Sequence, residues 1–573
     1  NHRRGGAVSF WRHYLFVFCF VVLAGALSVR VVYLGVTERD FLQEEGDKRS
    51  IYEKRLPAMR GMIYDRNGEA LAVSTPVFAV AVNPLQFDAN NASLQKLGKI
   101  LDLDIEALKT LLSNNAHRGY LYLKRHVSWE RMDAIRRLRL AHLILEPEYR
   151  RYYPAGESIA HVVGLTDIDD IGLEGIELAF ESSLRGEAGS KTVLRDREGR
   201  IVDDLDYGKA PRFGTDLQLS IDSRLQYVAY RELKSAVQSH GAKSGSLIMV
   251  DVKTGEILAL VNQPSFNPNG PINQRIPTRN RVVTDFYDPG STIKPFTAMA
   301  ALESGLYQSE SPINTSPGYF WVDNKMIQDP INLNTITLAE AIQKSSQVAI
   351  AKVALELPRD AVFDVLQRSG LGDYVGTGLP GEVVGLFSNV GAQSRVSRAA
   401  MAYGYGFTVT PLQLASAYVT LAGYGSRLPL SILKQDRKPE PEQVFDAGDA
   451  RAVIAMMERV TQQGGTATNA DIDDYRVAGK TGTARVLENG SYNDERHVAW
   501  FAGLAPVSDP RIVMVVLVNE PDTDRASGGR VAAPVFGRVA AHSLRLLGVR
   551  PDNLSNESLP LQPMSAAMAG GPR

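Results

Sequence analysis

Three short stretches carry the residue types needed for nucleophilic acyl transfer. The first is Asp288-Pro289-Gly290-Ser291-Thr292-Ile293-Lys294-Pro295-Phe296. Its turn residues stop at Ser291, and apolar Phe296, Met299, Ala300 and Leu302 then follow at helical spacing. A serine at a helix N-terminus faces free backbone N–H groups and the positive end of the helix dipole. Lys294 lies one turn further on the same face, within reach of the hydroxyl. A buried lysine beside another cation loses basicity and can serve as a general base for the serine. Taken alone, the stretch is equally the pattern of an ordinary serine helix cap. The second stretch, Lys480-Thr481-Gly482-Thr483, falls in a strand-like run and offers a cation, two hydroxyls and a glycine that admits a close backbone. A phosphate loop is its rival reading. That loop needs glycine five residues before Gly479, where this chain has Asp474, and no glycine occurs from Ala470 to Ala478. The third, Ser345-Ser346-Gln347, follows Thr337-x-x-Glu340, the spacing of a capping box, and alone reads as the polar face of a helix.

The three occur in the order S-x-x-K, S-x-Q, K-T-G, which resembles the S-x-x-K, S-x-N, K-(T/S)-G signature of the serine penicillin-recognising enzymes. Further stretches narrow the resemblance to class B penicillin-binding proteins of the cell-division type, the penicillin-binding protein 3 group. These are Arg60-Gly61-Met62-Ile63-Tyr64-Asp65-Arg66-Asn67-Gly68, Tyr403-Gly404-Tyr405-Gly406 with Thr410-Pro411-Leu412-Gln413, and Gly528-Gly529 followed by Ala533-Pro534-Val535-Phe536. The likeness runs from the apolar N-terminal segment to about Asn553.

The resemblance implies a peptidoglycan D,D-transpeptidase acting in septal cell-wall synthesis and acylated by β-lactams. Ser291 would attack the penultimate D-Ala carbonyl of a stem peptide, with Lys294 accepting its proton. Lys480 would keep Lys294 neutral and relay protons through Ser345. The N–H groups of Ser291 and Thr483 would form the oxyanion hole, and Thr481 and Thr483 would bind the substrate carboxylate. Ser346, Gln347, Gly482 and Tyr405 would complete the substrate site. The implied partners are stem peptides, β-lactams, a membrane-embedded glycan polymerase and other division proteins. No metal or cofactor is implied. Two features depart from the family pattern and suggest a divergent paralogue: Gln347 stands where the family has Asn, and Asp522 to Ser527 lacks the aromatics that relatives often carry.

The elements that must position these residues can be read in outline. The 573 residues exceed one ordinary domain, and 44 % hydrophobic against 22 % charged residues is a globular balance. A net charge of -1 gives no global attraction for nucleic acid, and the lone Cys19 rules out a cysteine metal cluster or a disulfide framework. Arg3, Arg4, Arg12 and His13 precede an apolar run from Tyr14 that continues past Arg30. The run is long enough to cross a membrane, and the positive flank places the N-terminus in the cytoplasm and the body outside. Ala24-Gly25-Ala26 keeps a cleavable signal peptide as the competing reading.

The expected organisation is a cytoplasmic tail (1–13), a transmembrane anchor (14–36), a charged linker (37–56), an N-terminal α+β pedestal (57–213), a transpeptidase domain (214–553) and a disordered tail (554–573). The fold class is α/β (α+β). Paired strands near Ser246–Val250 and Ile257–Val261, three late strands near Val477–Val486, Val498–Leu504 and Ile512–Val518, and a helix near Ala532–Leu547 predict one five-stranded antiparallel sheet flanked by helices. A hairpin is expected over Gly186–Asp203, and a helix from Ser223 opened by a Ser223-x-x-Gln226 capping box. The pedestal of about 150 residues argues against a small stand-alone β-lactamase, and the stretch before Asp216 is too short for a glycosyltransferase domain. A D,D-carboxypeptidase, and a non-catalytic scaffold or β-lactam sensor marked by Gln347, remain as alternatives.

Overall fold

The computed structural model describes residues 10–88, 92–196, 201–271, 277–388, 394–488, 491–522 and 527–553. The tail expected over 554–573, and Thr523 to Ala526 of the loop before Gly528, lie outside the described residues. The chain forms two compact units. One gathers 1–60, 76–150 and 186–214; the other gathers 61–75, 151–185 and 215–573. The units therefore cut the chain differently from a single boundary at 213/214, because the segments 61–75 and 151–185 cluster with the catalytic body.

The first unit opens with an apolar helix, Phe10–Val36. At 1.5 Å per residue its length of roughly 40 Å exceeds the ~30 Å hydrocarbon core of a bilayer. The 37–56 stretch, expected as a linker, is instead a helix (Arg39–Ser50) followed by a strand (Ile51–Leu56). That strand pairs antiparallel with Gly189–Arg195, so its partner lies far along the chain and local charge gave no sign of it. Gly189–Arg195 also pairs with Ile201–Lys209, the hairpin expected there. A separate apolar core in this unit joins Val80, Val82, Leu97, Leu101, Leu108, Leu123 and Ile135.

The second unit is built on the expected five-stranded antiparallel sheet. Its order is Ile257–Gln263, Ser244–Asp251, Ile512–Asn519, Ser491–Ala505, Ala478–Glu488. The late strand Ile512–Asn519 pairs with the early Ser244–Asp251, so the sheet closes the two ends of the unit together. Every residue of Ser244–Asp251, Ile257–Gln263 and Ile512–Asn519 is buried, which explains their unbroken apolar runs: both faces are covered. Helices Ser223–Ser239 and Ala533–Leu546 pack together and against the sheet, as does Pro411–Ala422, which is buried along its whole length. The Lys480 strand, Ala478–Glu488, is left at the sheet edge.

The segment Gly61 to Gly68 acts as a fastening within this unit. The buried Asp65 carboxylate accepts from the N–H groups of Asn67 and Glu69 at 2.7 and 2.9 Å, closing the turn. Its second oxygen accepts from the Ser223 N–H and hydroxyl at 3.1 and 2.8 Å. The Ser223 hydroxyl is thereby taken, and the expected capping box does not form. Asp222 caps that helix instead, accepting from Arg224 N–H at 3.1 Å, while Gln226 is buried against the backbone of Leu260. Replacing Asp65 by Ala orphans three backbone donors and a hydroxyl. The Asp65→Ala protein is expected to melt about 4–8 °C lower in a thermal unfolding scan, with no change at the Ser291 region.

Candidate active site

Ser291 lies in a 3-10 turn, Gly290–Ile293, that runs directly into the helix Lys294–Glu303. Its N–H is among the first-turn donors that no helix carbonyl takes up. The turn is held from two sides. Gly290 N–H donates to Gly404 O at 3.0 Å, and the Tyr418 hydroxyl donates to Thr292 O at 2.7 Å. The approach of Gly404 is so close that an added Cβ would stand 2.0 Å from Gly290 O, and its φ is +88°. Only glycine fits there, which gives the Tyr403 to Gly406 stretch a structural cause.

The helix Leu338–Lys344 opens with the expected capping box, in which Glu340 N–H donates to Thr337 Oγ1 and Thr337 N–H to the Glu340 carboxylate. It does not run on into Ser345-Ser346-Gln347. Ser345 takes a left-handed conformation (φ 59°, ψ 37°) and ends the helix. The N–H groups of Ser345 and Ser346 return to Ile342 O and Ala341 O, which is a Schellman closure with serine where glycine is usual. A new helix, Gln347–Glu356, starts at once, with the Ser346 hydroxyl accepting from Ala349 N–H. A serine held at positive φ costs free energy, and the neighbours that hold it there are those of a functional site.

This break aims Ser345 at both lysines. Lys294 Nζ donates to Ser345 O at 2.5 Å and to Ser345 Oγ at 3.2 Å. Lys480 Nζ donates to Ser345 Oγ at 2.9 Å and to Thr481 O at 3.3 Å. Both lysines are fully buried. Burial lowers the Lys294 pKa to about 7, against the opposing pull of Asp329. Burial, and then the charge of Lys294, holds Lys480 well below the ordinary lysine range. The Ser291 hydroxyl makes no hydrogen bond among the described residues, so it remains available to react.

The edge position of the Lys480 strand orients its backbone. Thr481 O is met by Lys480 Nζ and Thr483 O by the Tyr405 hydroxyl at 3.5 Å, so both carbonyls point off the sheet. In an antiparallel strand the N–H and C=O of one residue point to the same side, so the Thr483 N–H also lies on the free edge. That edge faces the serine turn: an added Cβ on Gly290 would meet Thr483 O at 3.5 Å, and one on Gly482 would meet Pro289 O at 2.9 Å. The Thr481 hydroxyl is paired with Thr466 Oγ1 at 2.8 Å, and Thr483 Oγ1 accepts from Gly528 N–H at 3.3 Å. Gly528 lies so close over this strand and its neighbour that a Cβ would stand 2.6 Å from Gly482 O and 2.0 Å from Trp500 O. Ser291, Lys294, Ser345, Lys480, Thr481, Gly482, Thr483 and Tyr405 thus come together, with Ser346 and Gln347 on the adjoining turn.

The family profile described as the penicillin binding protein transpeptidase domain matches residues 245–541, and that described as the penicillin-binding protein dimerisation domain matches residues 55–219. The chain is 40% identical over 551 residues to the peptidoglycan D,D-transpeptidase FtsI of Escherichia coli K12, covering 95% of this chain and 93% of that protein. It is 38% identical over 538 residues to the probable peptidoglycan D,D-transpeptidase PenA of Neisseria meningitidis serogroup A, covering 92% of each. The chain belongs to the class B penicillin-binding proteins of the cell-division type. Penicillin-binding protein 3 of Mycobacterium tuberculosis, solved with aztreonam, superposes with a TM-score of 0.67 at 25% identity, over 87% of this chain and 98% of that one.

Asp329 is one residue of this site that the sequence did not reveal. Its carboxylate accepts from the Ser346 hydroxyl, from Gln347 N–H at 2.6 Å and from Val348 N–H at 3.3 Å. It therefore fixes the start of the helix that comes after Ser345, and it favours the protonated form of Lys294. No motif marks it, because it sits 16 positions before Ser345 at the end of a hairpin strand. Thr466 and Tyr418 were missed for the same reason: each serves the site by a contact remote in sequence. Gln347 occupies the first position of the new helix, with its backbone held by Asp329 and its side chain free of hydrogen bonds among the described residues.

The rate of covalent β-lactam capture is expected to rise with pH through about 7, as Lys294 becomes neutral and able to accept a proton. In Asp329→Asn the midpoint should move to lower pH, because the charge that favours protonated Lys294 is gone. The plateau should also fall by about tenfold, reflecting ~1–3 kcal/mol of lost loop support. Stopped-flow labelling with fluorescent penicillin across this range measures both.

Proposed function

We propose that the chain is a septal peptidoglycan D,D-transpeptidase working through a Ser291 acyl-enzyme. One observation carries the reading: a single hydroxyl, that of Ser345, joins two buried lysines beside an unengaged serine. Neutral Lys294 takes the Ser291 proton as Oγ bonds to the penultimate D-Ala carbonyl carbon of a stem peptide. The oxygen that gains charge is met by the N–H groups of Ser291 and Thr483, preorganised on the serine turn and the strand edge. The C–N bond to the terminal D-Ala then breaks, and its nitrogen receives a proton through the Lys294–Ser345–Lys480 array. A neighbouring stem-peptide amine attacks the ester, forming the cross-link and returning the proton to Ser291. The Thr481 and Thr483 hydroxyls receive the donor's terminal carboxylate. A β-lactam acylates Ser291 by the same first step.

The apolar helix Phe10–Val36 suits a single-pass anchor in the inner membrane. The Arg-rich flank before it supports a cytoplasmic N-terminus and an external catalytic body. The anchor and residues 57–213 would contact a glycan polymerase and other division proteins.

Fluorescent penicillin should label the wild-type chain, while Ser291→Ala should show no labelling. Persistence of label in Ser291→Ala would remove this residue from the mechanism. Release of D-Ala from a pentapeptide donor separates a transpeptidase from a sensor that is acylated but does not turn over. Gln347→Asn shortens the amide arm by one methylene; we expect it to leave penicillin labelling within a few fold and to raise D-Ala release about threefold or more.

A further inference from the structure

The hairpin Tyr319–Val322 with Lys325–Gln328 has an outer face of unusual chemistry. Its register pairs Tyr319 with Gln328 and Trp321 with Met326, and all four side chains are exposed, Trp321 at 61 %. The alternate residues Phe320, Val322 and Ile327 turn inward, with Lys352 set over the Phe320 ring at 5.5 Å. On that side Val322 and Ile327 are buried and Phe320 is half-buried. An isolated surface hairpin is ordinarily polar on its outer face; here three of four outward residues are large and apolar, and exposed Ile331 lies just beyond.

The hairpin is continuous with the catalytic site. Gln328 is succeeded by Asp329, whose N–H donates to Gly318 O at 2.9 Å and whose carboxylate holds Ser346 and Gln347. The aromatic face therefore begins one residue from the group that fixes a wall of the site. Resting on the transpeptidase reading, a donor or acceptor peptide at Ser291 remains tethered to a saccharide polymer, which must leave the site along its rim. Flat indole and phenol rings stack on the C–H faces of pyranose rings, and the Gln328 amide can both donate to and accept from sugar hydroxyls. A membrane surface fits less well, because the hairpin balances Asp323 against Lys325 and presents no basic excess.

We propose that this hairpin face is a saccharide-binding platform that seats the glycan strand of the peptidoglycan substrate. The test uses the full chain in detergent micelles and glycan strands stripped of stem peptides. The wild type should bind these strands. Combined Tyr319→Ala and Trp321→Ala substitution should weaken binding about tenfold or more, and Trp321→Tyr should restore most of it. Penicillin labelling at Ser291 should be the same in all of these proteins, since the Tyr319 and Trp321 side chains make none of the contacts that hold Ser291, Lys294, Ser345 or Lys480. Failure of the wild type to bind peptide-free glycan, or equal binding by the double variant, overturns the platform. So does a hairpin-dependent affinity for lipid vesicles or for a protein partner in the absence of glycan binding. Loss of labelling at Ser291 in the wild type would count instead against the transpeptidase reading, so the two can fail separately.

Discussion

Two buried ammonium-bearing side chains converging on one hydroxyl form the constraint on which the site depends. Lys294 and Lys480 both reach Ser345 Oγ, so their nitrogens are no more than about 6 Å apart. Two positive charges at that separation repel by about 3 kcal/mol at an effective dielectric near 20, and each also loses its hydration. The pair cannot be doubly protonated at low cost near neutral pH. Burial lowers both lysines, and the charge of Lys294 lowers Lys480 further, which yields the neutral amine that serine chemistry needs. The rest of the unit can be understood as the means of keeping these groups dry and close: a sheet covered on both faces, and helices buried along their length.

Holding Ser345 between the lysines requires the chain to break a helix with a residue that disfavours the required backbone. A glycine would close the Schellman turn more easily but would lack the hydroxyl. The chain accepts the strained serine and braces it on both sides. Before it, the Thr337–Glu340 box secures the short helix; after it, Asp329 and Ser346 secure the next helix. Asp329 also draws Lys294 toward its charged form, so the group that orders the turn works against the basicity that the chemistry uses. A pKa of about 7 reflects that balance, with burial the larger influence.

Much of this was legible in the sequence because it rests on local patterns. Apolar runs located all five strands of the catalytic sheet, turn residues located the hairpin near Gly186–Asp203 but not the one at Tyr319–Gln328, and three motifs in order named groups that the fold brings together. The features that escaped were non-local. The Ile51–Leu56 strand finds its partner some 140 residues away, so its charge-rich surroundings resembled a tether. The Ser223 cap was displaced because Asp65, distant in sequence, had already claimed that hydroxyl. The Ser345 break was hidden because its flanks both favour helix, and only the two lysines explain why the chain turns there. Gly404 and Gly528 show the reverse case: motif residues visible in the sequence whose cause, a backbone approach too close for any Cβ, appears only in the fold.

In the proposed mechanism Gln347 offers a way to separate the chemistry of acylation from the recognition of donor and inhibitor. In that mechanism the first step is carried by Ser291, Lys294, Ser345 and Lys480, and the last three are anchored by burial or by backbone contacts. The Gln347 backbone is equally fixed, through Asp329, so the longer side chain cannot disturb the Ser345 turn. Its side-chain amide makes no hydrogen bond among the described residues. Substitution at this position should then act on the recognition of the peptide amide, not on the basicity of Lys294. Under the proposed mechanism a chain can in this way retain its acylation groups while its preference among donors and inhibitors drifts, because the Gln347 N–H is held by Asp329 while its side-chain amide is not hydrogen-bonded among the described residues.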